Sequence, residues 1–289
     1  MKFLHKKMGL LALFTACLMA FAACGQSVSS SAPAAASGSA SADAAGEFRV
    51  GMECAYPPFN WTQLDDSNGG VDLGNGTYAG GYDVEIAKLV AESLGKKLVI
   101  VKTDWDSLPP SLTSGKIDAV IAGMTNTAER RETLDFTDNY YTSDLVIVVS
   151  ANGPYANATS LADFEGAKIT GQLGTLHYDV IDQIPGVQKQ QAMEDFPTML
   201  AALASGMIDG YVSERPGAKS AAATNPQITF VEFAAGSGFD YDGNDVSVAI
   251  ALRKNETELK DAINAALATI SQETREQLMI DALANQPSA

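Results

Sequence analysis

The chain has 289 residues, 46% of them hydrophobic, enough to bury one large or two modest cores, which excludes a disordered polymer. Its 35 acidic residues outnumber its 19 basic ones, giving a formal charge of −16. Such a field disfavours phosphate backbones and anionic headgroups, so nucleic acid and an electrostatic membrane contact are excluded as partners.

In chain order, the N-terminus reads MKFLHKK and then an apolar run from Met8 to Ala23, too short and too poorly flanked to span a bilayer and suited to a secretory signal over residues 1–23. The run ends in Phe21-Ala22-Ala23-Cys24-Gly25, which resembles the lipobox of a bacterial lipoprotein, with Cys24 as the lipidated first residue. Ordinary cleavage near Ala22-Ala23 is the alternative. The Ser/Ala/Gly tract after Cys24 favours the lipoprotein, because residues 24–46 suit a flexible tether from membrane to domain. Loss of Lys2, Lys6 and Lys7 takes the formal charge from −16 to −19. Cys54 is then the one free thiol, so no intrachain disulfide is expected.

From Phe48 onward, short apolar runs alternate with helical periodicity, which predicts α/β units around largely parallel sheets. Phe48–Met52 reads as a strand. Asp83 reads as the cap of a helix with Val84, Ala87, Ala91 and Leu94 on one face and Gly95 as its stop. Between them, Gln63–Ala79 is rich in Gly, Asn and Asp and reads as an exposed loop; it lacks EF-hand spacing, and its glycines follow no strand, so neither calcium nor a dinucleotide is expected there. Strands follow at Leu98–Val101 and Ile117–Ala122, separated by a helix opening on Pro109-Pro110, and Thr127 caps the next helix. Leu145–Val149 reads as a strand leaving the first lobe. The pattern then restarts with a strand at Lys168–Gly171, a helix opening at Gly174-Thr175, a helix over Met199–Ser205 and a strand at Ile208–Val212. Val246–Leu252 and a helix over Thr257–Ile270 return to the first lobe. The expected divisions are 47–147 for the first part of lobe 1, 148–244 for lobe 2 and 245–289 for the return.

Ala122-Gly123-Met124-Thr125 ends the strand from Ile117 with small side chains, backbone N–H groups and a hydroxyl, and a helix starts just beyond. That setting suits a carboxylate, and the guanidinium of Arg130, five residues after Thr125, can close on it with two parallel bonds. A surface arginine paired with Glu129 or Glu132 fits the local residues equally well; Arg131 is placed on the surface.

Resemblance separates the two. The runs "GGYDVEIAKLVAESLG" and "TDWDSLPPSLTSGKIDAVIAGMTNTAERRETLDFTDNYY", with "YPPF" before them and "GQLGT" and "IDGYVSERP" after, resemble the extracytoplasmic solute-binding proteins of ABC importers, in the group that carries polar amino acids. The similarity extends from about Arg49 to Leu252. It implies a type II periplasmic-binding-protein-like α/β fold, two lobes joined by two crossover strands, with a ligand in the cleft. It makes Arg130 the partner of the ligand α-carboxylate, with Thr125 and Thr175, and Glu214 the acid for the α-ammonium. Tyr56 and Trp105 take the positions of aromatic walls, though core packing is the simpler reading of Trp105 alone. Glu53 matches an acidic position at the far end of the ligand side chain. Ala122 stands where many basic-amino-acid binders carry serine, and Gln172 where relatives carry a longer or charged residue; both lean toward a neutral, glutamine-like ligand, while Glu53 and the negative field suit a basic one. His177 ranks low as a ligand contact.

The implied partners are a free amino acid and ABC permease subunits, with a lipid anchor as the one tie to the membrane; a monomer suffices for delivery. No cofactor is expected, since no metal cluster, Ser-His-Asp set or phosphate loop is present. A dehydratase on the same fold, with Glu53 or Glu214 as its acid, and a lipid-anchored sensor are the competing functions.

Overall fold

The computed structural model describes residues 46–287 apart from 244; the expected signal segment, Cys24 and the tether lie outside the described residues. The strands are β1 (Glu47–Met52), β2 (Ala55–Tyr56), β3 (Asn60–Gln63), β4 (Val71–Asp72), β5 (Tyr78–Gly80), β6 (Lys97–Lys102), β7 (Ala119–Val120), β8 (Leu134–Thr142), β9 (Leu145–Ser150), β10 (Lys168–Thr170), β11 (Gln188–Lys189), β12 (Gly210–Glu214), β13 (Ile228–Val231) and β14 (Ser247–Arg253). The helices are α1 (Tyr82–Ser93), α2 (Leu108–Thr113), α3 (Ala128–Thr133), α4 (Leu176–Asp179), α5 (Phe196–Ala204), α6 (Arg215–Thr224), α7 (Thr257–Ala268) and α8 (Gln272–Asn285).

Two five-stranded sheets carry the two lobes, in the orders β6-β1-β7-β14-β8 and β11-β10-β12-β9-β13. Both are mixed, against the expectation of largely parallel sheets: β14 runs antiparallel to β7 and β8, and β9 antiparallel to β12 and β13. The reversed strands are those that carry the chain between lobes, so they enter each sheet from the opposite end. β8 and β9 are separated by Ser143-Asp144 alone, and the Ser143 N–H donates to the Val246 carbonyl (3.2 Å), which puts outgoing and returning segments side by side. The 63–79 segment is not simply an exposed loop. Residues 64–68 are largely exposed, but β4 pairs with β5, and β2-β3-β5-β4 form a small antiparallel sheet. Gly74, Asn75 and Gly76 occupy the hairpin tip, where the Asp72 carboxylate accepts from the Gly74 N–H (2.7 Å).

Asp83 does not cap α1. Gly81, at φ 122°, precedes the helix, and the Asp83 carboxylate is fully buried. Val84, Ala87 and Ala91 do face the core, and Gly95 ends the helix at φ 62°. Thr127 caps α3, its hydroxyl accepting from the Arg130 N–H (3.3 Å).

Candidate functional site

A cavity opens where the C-terminal ends of β7 and β12 face each other. The first lobe lines it with Tyr56, Trp105, Ala122, Gly123, Thr125 and Arg130, the second with Gln172, Thr175 and Glu214. Nine of the eleven residues singled out for ligand contact therefore meet in one place. The structure takes the other two elsewhere. Met124 packs its side chain into the core with Leu108, Leu112 and Phe136, because it alternates with its neighbours across the end of the strand. Glu53 lines an adjoining cavity with Asp104, Asp106, Glu194 and Asp195. Gln172 stands between the two, its Nε2 donating to Glu53 Oε1 (3.0 Å) and to the Glu194 carbonyl (2.9 Å).

Arg130 is held by neutral oxygens. Nη1 donates to the Thr125 carbonyl (2.9 Å) and hydroxyl (2.7 Å), Nη2 to the Gly174 carbonyl across the cleft (3.1 Å), and the guanidinium lies 5.2 Å from the Trp105 ring centre. Among the described residues no carboxylate forms an ion pair with it, so the pairing with Glu129 or Glu132 is not made. Burial holds its pKa down at about 10, against the pull of Glu129 and Asp179. Thr125 complements it. The Asn126 N–H bonds to the Ser247 carbonyl (3.3 Å) and the Ala249 N–H to the Met124 carbonyl (3.0 Å), so Thr125, opposite Val248 between these bonds, turns its own N–H away from β14. Gly123 differs from expectation: its N–H is already given to the Tyr140 hydroxyl (3.3 Å) and is not free for an anion. What Gly123 supplies is room, since at φ 63° a Cβ would lie 3.1 Å from the Tyr56 ring.

Across the cleft, Glu214 is 2% exposed, and burial lifts its carboxyl to about 8. Its Oε1 lies 3.3 Å from His177 Nε2, while Oε2, His177 Nδ1 and the Tyr56 hydroxyl have no hydrogen-bond partner among the described residues. His177 is pushed down to about 3, by burial first and by the Arg130 charge second, so at neutral pH the pair is uncharged. Burial also raises Glu53, to about 7, aided by Asp195, Asp104 and Asp106 and opposed by the Gln172 bond. Tyr56 stacks between Phe59 (5.0 Å) and Phe196 of the second lobe (4.1 Å).

Sequence reasoning ranked His177 low and missed Phe196, Leu145 and Asp245, the last two also lining the cavity. His177 follows Thr175 by two residues, a signal in hand. For Asp245 there was none, as it sits in the return segment far along the chain.

A family model described as bacterial extracellular solute-binding proteins, family 3, matches residues 48–281. The chain belongs to this family. Among proteins similar to this solute-binding protein is the probable histidine-binding protein of Campylobacter jejuni, 33% identical over 196 residues, 67% of this chain and 71% of that one. A solved amino acid ABC transporter substrate-binding protein from Streptococcus pneumoniae, bound to L-arginine, superposes with a TM-score of 0.72 at 27% identity, covering 83% of this chain and 94% of that one. An ancestral amino acid-binding protein that is a precursor of cyclohexadienyl dehydratase superposes with a TM-score of 0.68 at 28% identity, covering 82% and 96%. Among the described residues of this family member, no helix is long and apolar enough to cross a membrane, and no cluster of His, Cys, Asp and Glu could hold a metal.

Proposed function

We propose that this solute-binding protein captures a free polar amino acid, basic or glutamine-like, in the cavity between its lobes and delivers it to an ABC permease, as a monomer tethered by lipid on Cys24. The observation that carries this reading is Arg130, a half-buried guanidinium with no carboxylate partner among the described residues, lining the same cavity as Glu214, a buried carboxyl with one oxygen unpaired among those residues. The opposed pair suits a zwitterion: Arg130 and the Thr125 N–H take the carboxylate, and Glu214 the ammonium. Thr175, Gln172 and Glu214 come from the second lobe, so only the closed form completes the shell, and ligand favours closure. The carboxylates around Glu53 and the arginine- and histidine-binding relatives make L-arginine the first candidate.

Glu214 beside His177 also supports a second reading. A carboxyl still protonated near neutral pH can act as a general acid, and one similar structure is a dehydratase precursor.

A thermal-shift screen of the chain from Gly46 onward, unfolded and refolded to strip retained ligand, against the twenty amino acids and prephenate separates the two. Ligand that binds only the native state must raise Tm. A shift with one or two polar amino acids supports transport. No shift with any of them, together with consumption of prephenate, overturns it.

A further inference from the structure

The motif around Asp83 is not used by the cavity: neither Asp83 nor the groups bonded to its carboxylate line it. Yet Asp83 is 0% exposed and sits where two hydrogen-bond chains converge. Its Oδ1 accepts from the Tyr140 hydroxyl (2.7 Å), which in turn accepts from the Gly123 N–H (3.3 Å). Its Oδ2 accepts from Asn60 Nδ2 (2.8 Å), and Asn60 Oδ1 accepts from the Cys54 N–H (2.7 Å).

Both chains end on backbone in the left-handed region, Gly123 at φ 63° and Cys54 at φ 55°. For Cys54, which has a Cβ, that conformation persists only where the surroundings impose it. The two endpoints matter because of their neighbours. Gly123 lies in the turn that presents Ala122 and Thr125, and Cys54 in the turn between Glu53 and Tyr56. One carboxylate thus ties together two walls of the cavity that are some 70 residues apart in the chain.

We propose that Asp83 is a positioning residue for ligand binding, holding the Gly123 turn and the Cys54 turn in register through Tyr140 and Asn60. The part that concerns ligand rests on the amino acid site proposed above; the tie between the turns does not. The chemistry is specific to a carboxylate. Two donors converge on Asp83, and each relay's other end accepts from a backbone N–H, so an amide at this position either sets its NH2 against the Asn60 NH2 or turns it on Tyr140 and leaves that hydroxyl's proton without its acceptor.

The test compares Asp83→Asn and Tyr140→Phe with wild type by residue-resolved amide exchange, and by calorimetric titration with L-arginine or whichever amino acid the screen identifies. Asp83→Asn is expected to accelerate exchange at both Gly123 and Cys54 by tenfold or more and to weaken binding by tenfold or more, while β9 and β12 amides in the other lobe keep their rates. Tyr140→Phe is expected to accelerate Gly123 alone. Unchanged exchange at both turns in Asp83→Asn overturns the proposal, as does equal acceleration throughout the protein, which marks a general stabilising role. Loosened turns with wild-type affinity overturn the link to binding. If Asp83→Asn does not fold, the selective effect of Tyr140→Phe decides. If wild type binds no amino acid, the site reading fails, and the exchange data still decide the tie.

Discussion

Arg130 keeps its charge in a half-buried setting where its partners among the described residues are carbonyls, a hydroxyl and a ring. Such a group is costly until an anion arrives, and its removal should cost the anion dearly. Arg130→Ala is expected to lose about 2–5 kcal/mol of ligand affinity by calorimetry, the range for truncating one partner of a buried charged pair. Glu214 adds a proton to the account. Raised to about 8, it is mostly protonated in the empty cavity at pH 7, and a ligand ammonium favours the ionised form. Binding at pH 7 should therefore release up to about one proton, with affinity rising as pH goes from 6 to 8 by at most about tenfold per unit. Titrations in buffers of different ionisation enthalpy measure that proton; none released means that no ammonium meets Glu214. At this scale the sequence was legible where chemistry is local, as with Arg130 and Thr125 five residues apart on one turn. It was opaque where a group's availability depends on distant partners: Tyr140 claims the Gly123 N–H from 17 residues on, and Gln172 holds Glu53 from 119 residues away.

The cavity is built from the ends of elements, and its shape depends on small residues that let them approach. Gly123 and Gly217 flank the Tyr56 ring: a Cβ on either would lie 3.1 Å from a ring carbon, and one on Gly217 would also lie 2.8 Å from Ser213 Oγ. Gly123→Ala would meet both that contact and a φ of 63°, and is expected to lower stability by about 1–3 kcal/mol in chemical denaturation and to weaken binding by displacing Tyr56. Phe196, at the start of α5, carries the stack from the second lobe. Phe196→Ala should raise the Kd about tenfold or more, since it removes an interlobe ring contact that closure needs. Elements with strong punctuation were readable: Pro109-Pro110 opened α2, Thr127 capped α3, and Gly95 closed α1. β8 was not, because LDFTDNYYT breaks the apolar alternation with Asp135, Asp138 and Asn139: Lys254 pairs with Asp135, Asn126 Nδ2 donates to Asn139, and Asp138 is exposed, its backbone N–H donating to Asn264 Oδ1. α6 hid because Gly217 through Ala223, mostly alanine, favour a helix but show little apolar periodicity, and packing on β9 and β13 fixes its place.

For the molecule as a whole, closure rests on bonds that include Arg130 to Gly174, Gln172 to Glu53, Ser220 to Gln286 and the Tyr56–Phe196 stack. At the crossing, Arg215 pairs with Asp144 on the outgoing segment and with Glu232, just past β13 in the second lobe, a bracket beside the hinge. The buried acids give the empty protein a characteristic pH response. Glu53 and Glu214 have folded values of about 7 and 8 against an ordinary 4.5, so they hold protons in the fold that the unfolded chain has lost, and stability falls as pH rises through that interval. His177 acts the other way, mainly below 6.5, where the unfolded chain gains a proton that the folded histidine refuses down to about 3. Between pH 6.5 and 8 the acids outweigh it. The ligand-free protein should therefore lose about 1–2 kcal/mol across that window in calorimetric unfolding, and Glu214→Gln should flatten the loss. The two-lobed plan was legible because its α/β pattern restarts after Leu145; the strand order was not, since β14 reaches its place between β7 and β8 from more than a hundred residues downstream.

That placement sets an order of assembly. A chain emerging from its N-terminus meets every strand of the second sheet by residue 231, while the first sheet has a vacant central slot until residues 247–253 arrive. The lobe that begins first is finished last, so β1, β6 and β7 must wait with one edge unpaired, and a released chain truncated before Ser247 should present a protease-resistant second lobe beside a first lobe still open to cleavage.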